Sequence, residues 1–198
     1  MIKFIRENMS MVTKFMLTHL VMSILGIMVG LAVLSIEGDT SGFSSIALIS
    51  GAFTVGFMCF MHYDDSFFFG VKEGIRVRAE GGKTDILKGL KISLIAHIPV
   101  IIVAIIVIAF QLFNPENASI PMLLYYFFQG SYIPLYALQQ FVGVIGYVIL
   151  TMLPAIVAGT LGYAIGSKDK TLRGMMGMNV KPPFDGPLER KPKNKDNR

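Results

Sequence analysis

The run IPMLLYYFFQGSYIPLYALQQFVGVIGYVILTMLPAIVAGTLGYAI, residues 120–165, decides how this chain folds. It contains no Asp, Glu, Lys, Arg or His. A stretch of that composition belongs in an apolar environment, and its length allows either two membrane crossings or one crossing preceded by something else. If both halves crossed, only Leu138, Gln139 and Gln140 would join them, and the basic C-terminal tail would lie opposite the other basic segments. Gly130 and Pro134 interrupt the first half, whose Tyr125, Tyr126, Phe127, Phe128, Tyr132 and Tyr136 give it the composition of an interfacial belt. The expected arrangement is therefore one spanning helix at 141–165, kinked at Pro154, with an interfacial or re-entrant aromatic helix at 120–137 on the outer side.

Working outward, three further apolar blocks stand at 15–36, 43–61 and 92–113, each long enough to cross hydrocarbon at about 1.5 Å per residue. The first exceeds the 7 to 15 residues or so of a signal-peptide core, so it reads as an uncleaved anchor. Pro99 predicts a kink near the start of the third. The segment 63–91 reads as a cytoplasmic basic loop with a turn at Gly81 and Gly82, and with Thr84 and Asp85 as helix caps before Ile86. From Ser167 onward Pro182, Pro183, Pro187 and Pro192 stand among alternating charges, which predicts a disordered basic cytoplasmic tail over 167–198; a short amphipathic turn at 172–178 is too brief to assign. The fold class is all-α: a polytopic membrane domain over 1–166 with four transmembrane helices and no internal repeat.

Composition agrees with this block structure. Hydrophobic residues make up 53% and charged residues 16% of 198, the mean hydropathy is +0.60, and soluble domains carry about 25% charge. All 18 basic residues fall in three segments: three before the first span, six between Val71 and Lys91, and nine after Gly166. The other two connections hold Glu37, Asp39 and Glu116 and no Lys or Arg. That is the positive-inside pattern, and it places both termini in the cytoplasm. A net charge of +5 is thereby explained by topology and by anionic headgroups at the cytoplasmic face, with no need for nucleic acid. Cys59, the sole cysteine, excludes an intramolecular disulfide and a cysteine-based zinc site.

The residues that suggest chemistry are three single histidines at similar depth. His19 lies five residues beyond Lys14, His97 lies six beyond Lys91, and His62 ends the second apolar block beside Asp64 and Asp65. Helical rise places His19 about 7–8 Å and His97 about 9 Å inside their flanking lysines, so a compact bundle would let His19, His62, Asp64, Asp65 and His97 converge on a metal or relay protons. The opposing reading is that histidines and aspartates at an interface are simply solvated or paired. No HxxxH or HExxH pair supports the metal site. Asp64 and Asp65 also lack the second acidic motif that two-metal phosphate chemistry requires.

Small residues at four-residue spacing, Gly26 and Gly30 in the first span and Ala158, Gly162 and Gly166 in the last, predict close helix packing, within the bundle in preference to a partner. No GxSxG, Walker loop or CxxC is present, no motif ties the chain to a family, and no resident cofactor is expected. The functional expectation is a non-enzymatic accessory or assembly subunit of a bacterial plasma-membrane complex. The alternatives are a small oligomeric transporter or channel component, and a membrane enzyme with a His/Asp site at the cytoplasmic interface. Membrane lipids, a second copy or a partner membrane subunit are the expected contacts.

Overall fold

A computed structural model describes residues 2–37 and 44–168, and every regular element among them is helical. The helices are α1 (Ile2–Glu37), α2 (Ser45–Ala79), α3 (Leu87–Ala96), α4 (Ile98–Phe113), α5 (Ser119–Phe128) and α6 (Gln139–Ser167). Short 3-10 segments occupy Pro115–Asn117 and Gly130–Leu138. Expectations for the tail beyond 168, including the turn at 172–178, and for Asp39 lie outside the described residues.

Three helical runs are long and apolar enough to cross a membrane: Lys3–Ile36, Ser45–Ala79 and Gly130–Ser167. The α3–α4 pair, bent by 61°, passes the same test when taken as one. The surface is inverted relative to a water-soluble protein. Val21, Met28, Ile49, Ile105 and Phe141 are exposed, whereas His19, Ser23, Thr54, Ser131 and Thr151 are buried. A water-soluble fold does not expose apolar side chains so continuously while burying polar ones.

Helices α1 and α2 outrun the apolar blocks they contain. The 36 residues of α1 extend about 54 Å, well beyond a hydrocarbon core of about 30 Å, and the helix takes in the basic segment around Lys3 and Arg6. Similarly, α2 passes unbroken through the expected loop from His62 to Ala79. No proline interrupts 62–79, and a helix already nucleated adds residues at little cost. Ser44 caps its start, accepting from the Ala47 amide at 2.9 Å. Its end is a Schellman turn: the Gly82 amide donates to the Val77 carbonyl at 2.8 Å and the Gly81 amide to that of Arg78 at 3.1 Å, with Gly81 at φ 71°. Asp85 then accepts from the Leu87 amide at 3.0 Å to start α3.

Two prolines behave differently. Pro99 sits in the first turn of α4, where its missing N–H cannot bond the Ile95 carbonyl, and the chain bends there. Pro154 lies inside α6 with helical backbone, and the helix breaks instead at Gly143, φ 71°, where a glycine tolerates that backbone.

The aromatic segment forms a hairpin. α5 packs back along α4 and the 3-10 segment 130–138 packs on α1 and α2. Tyr125 and Tyr132 are buried in the main core cluster with Met22, Met58, Val103 and Tyr147, so these two rings do not form a headgroup belt; Tyr136 and Phe127 do remain exposed. The tip is sewn to the bundle through its backbone. Ser23 Oγ donates to the Phe127 carbonyl at 2.5 Å and accepts from the Gly130 amide at 2.7 Å. Ser131 Oγ donates to the Met22 carbonyl at 2.9 Å, and Thr54 Oγ1 donates to the Ser131 carbonyl at 2.7 Å. Backbone groups freed at the turn thus find partners inside an apolar interior, where leaving them unpaired is costly.

Candidate metal centre

α1, α2 and the α3–α4 junction each bring one histidine to a common point. Gly26 packs against the backbone of Gly130 and Ser131, and Gly30 against Ile133. Across α2 and α6 the small residues interlock: a Cβ on Gly162 would strike the Tyr63 carbonyl, one on Gly166 the Phe67 carbonyl, and one on Gly70 the Tyr163 carbonyl. Ala158 is only half-buried. The buried position beside it belongs to Gly159, which lets α6 close on Ser93 and Phe15. These contacts set the rotation of each helix, and through it where the histidines point.

His19, His62 and His97 are 5%, 0% and 2% exposed. One ring nitrogen from each lies within 4.8 Å of the others. Ring centroids are separated by 5.5 Å (His19–His62), 4.8 Å (His19–His97) and 5.5 Å (His62–His97), a nearly regular triangle. His19 Nδ1 stands 3.4 Å from His62 Nε2. An ion with metal–nitrogen bonds of about 2.0–2.1 Å sets its nitrogens about 3.3–3.6 Å apart in tetrahedral or trigonal geometry, so that pair is already at ligand spacing.

His97 is oriented for this role. Its Nδ1 lies 2.7 Å from the Ser93 carbonyl, an acceptor, so Nδ1 carries the proton and Nε2 keeps its lone pair. A ligating imidazole is commonly held this way, by a carbonyl or carboxylate on its other nitrogen. Nε2 of His97, Nε2 of His19 and Nδ1 of His62 have no hydrogen-bond partner among the described residues. Buried polar atoms are ordinarily paired; the unpaired Nε2 of His97 keeps a lone pair for an ion, whereas on His19 and His62 the unpaired nitrogens are the ones opposite the 3.4 Å pair.

The aspartates do not join the triangle. Asp65 Oδ1 takes an ion pair from Lys14 Nζ at 2.6 Å, and Oδ2 accepts from Thr18 Oγ1 at 2.9 Å. One turn along α2 from His62, it ties α1 to α2 at Lys14 and Thr18. Asp64 is half-buried and outside the group. The set of five candidates thus resolves into three imidazoles that meet, Asp65 paired with Lys14, and Asp64 apart from both.

Apolar residues bound the centre on both sides. Met11, Val12, Phe15, Ile92 and Ala96 form one cluster, with the Phe15 ring edge-on to His62 at 5.3 Å. Met22, Met58 and Val100, one helical turn beyond the three histidines, belong to the main core cluster on the other side. Ser93 and Gly159 were not singled out from the sequence. The orienting acceptor is a main-chain carbonyl, which any residue type at that position would offer, so the sequence carries no signal for it. No protein-family model, curated protein or solved structure matches the chain.

Proposed function

We propose that this chain is a multi-pass membrane protein that crosses a bilayer four times with both termini in the cytoplasm, and that its working part is a buried three-histidine site for a transition-metal ion. The four crossings are α1, α2, the bent α3–α4 pair and α6, and the aromatic hairpin 119–138 is re-entrant from the outer face. Confinement of all Lys and Arg to three segments supports that orientation.

One observation carries the metal reading: three fully buried imidazoles from separate helices present ligand atoms within 4.8 Å of one another. Imidazole suits Zn, Cu, Fe and Ni, and three neutral ligands leave a coordination position open. The accessory-subunit and small-transporter readings both build on this centre, as a resident ion in the first and as cargo in the second. Slow exchange of bound metal favours the former.

Metal content of the protein purified in mild detergent tests the site. Plasma mass spectrometry should find one transition-metal ion per chain after loading, lost in His62→Ala and in His97→Ala. Wild-type protein that stays metal-free after incubation with zinc, copper and iron salts would refute it. Each imidazole must be unprotonated to coordinate, so bound metal should also be released as pH falls.

A further inference from the structure

We infer that the ion this centre is built for is monovalent copper, Cu(I), bound by the three imidazoles with a thioether from Met22 or Met58 completing its coordination. The inference rests on the three-histidine reading above and deepens it.

Charge supplies the first argument. The ligand group consists of neutral imidazoles alone. Of the two acidic residues that follow His62 on α2, Asp64 lies outside the group, and Asp65 has both oxygens engaged by Lys14 and Thr18, with Lys14 offsetting its charge. An ion here therefore keeps its full charge among apolar side chains. The cost of placing charge in such a medium grows as the square of the charge, so a monovalent ion costs about a quarter of what a divalent one does. A divalent ion held by three neutral imidazoles would need an anion such as hydroxide at its open position to offset its charge, and the triangle itself supplies none.

Donor softness supplies the second. Met22 follows His19 by three residues and Met58 precedes His62 by four, so each shares a helix face with its histidine. Both methionines are buried, at 3% and 0% exposure, in the same cluster. Helical side chains lean toward their own N-terminus, which tilts Met22 back toward His19 and tilts His62 toward Met58. Two buried methionines thus lie one helical turn from the histidines on the hairpin side, with the Cys59 side chain packed against their cluster. Thioethers are soft donors that favour Cu(I) and contribute little to binding Zn²⁺.

The test is competitive titration of detergent-solubilised full-length protein, anaerobically with Cu(I) against a chromophoric Cu(I) chelator and separately with Zn²⁺ against a zinc dye. Cu(I) should bind one per chain and at least tenfold more tightly than Zn²⁺. The Met22→Leu/Met58→Leu double variant, which nearly conserves volume, should weaken Cu(I) at least tenfold and leave Zn²⁺ unchanged. His19→Asn, His62→Asn and His97→Asn should each weaken both ions, as read on monodisperse protein. Histidine-dependent Zn²⁺ binding as tight as Cu(I), or Cu(I) affinity indifferent to the methionine change, overturns the Cu(I) assignment and leaves the three-histidine site standing. If neither ion binds, both readings fall.

Discussion

A buried polar side chain stabilises a fold only when its hydrogen-bonding capacity is met, and two tyrosines in this molecule lie at opposite ends of that rule. The Tyr125 hydroxyl donates to the Val148 carbonyl at 2.9 Å and lies 2.7 Å from Thr151 Oγ1, tying the hairpin to α6. Tyr163, equally buried, has a hydroxyl with no partner among the described residues. Tyr125→Phe should therefore destabilise the protein by about 0.5–1.5 kcal/mol, and Tyr163→Phe should be neutral or slightly stabilising; thermal unfolding in detergent distinguishes them. The histidines fall under the same rule, and the proposed metal ion would be the partner they lack. Each was legible in the sequence as an ionisable group at similar depth, but Asp64 and Asp65 were grouped with them because adjacency in sequence implies adjacency in space only along one helix. Lys14, on another helix, claims Asp65.

At the scale of elements, the break between α3 and α4 has a direct connection to the site. Pro99 withholds a donor, the axis turns by 61°, and His97 sits at the corner with its ring held by Ser93. Pro99→Ala restores the missing N–H and should let the two helices run straighter, carrying His97 away from His19 and His62. The expected result is unchanged helical content by circular dichroism with metal affinity reduced at least tenfold; unaltered affinity would show that the bend does not position the ligand. The existence of a break near Pro99 was readable from residue chemistry. The continuation of α2 to Ala79 was not, because mixed charge over 63–79 resembles a loop by composition even though nothing in it stops a helix. The hairpin was half readable: Gly130 and Pro134 signalled interruption, but burial of Tyr125 and Tyr132 depends on serines and threonines of other helices that satisfy its turn.

For the whole molecule, the proposed four-crossing arrangement makes a prediction independent of the metal. With Cys59 replaced by Ala, a cysteine placed at Glu116 should react with a membrane-impermeant maleimide added outside intact cells, and one at Lys83 should react only after permeabilisation. Both positions are exposed. Labelling of the Lys83 position from outside would invert or abolish the orientation. The same scale separates what the primary structure determines from what it leaves open. Uninterrupted apolar blocks and the segregation of Lys and Arg determine a helical chain with several bilayer-length segments, because lipid requires the backbone to satisfy itself and resists the passage of cations. Helical periodicity then assigns each residue to a face of its own helix. It does not say which faces meet. That depends on close approaches such as Gly162 against Tyr63, Gly159 against Phe15 and Gly26 against Ser131, which fix rotation and depth together. Only those contacts bring His19, His62 and His97, each solitary in its own segment, to one point.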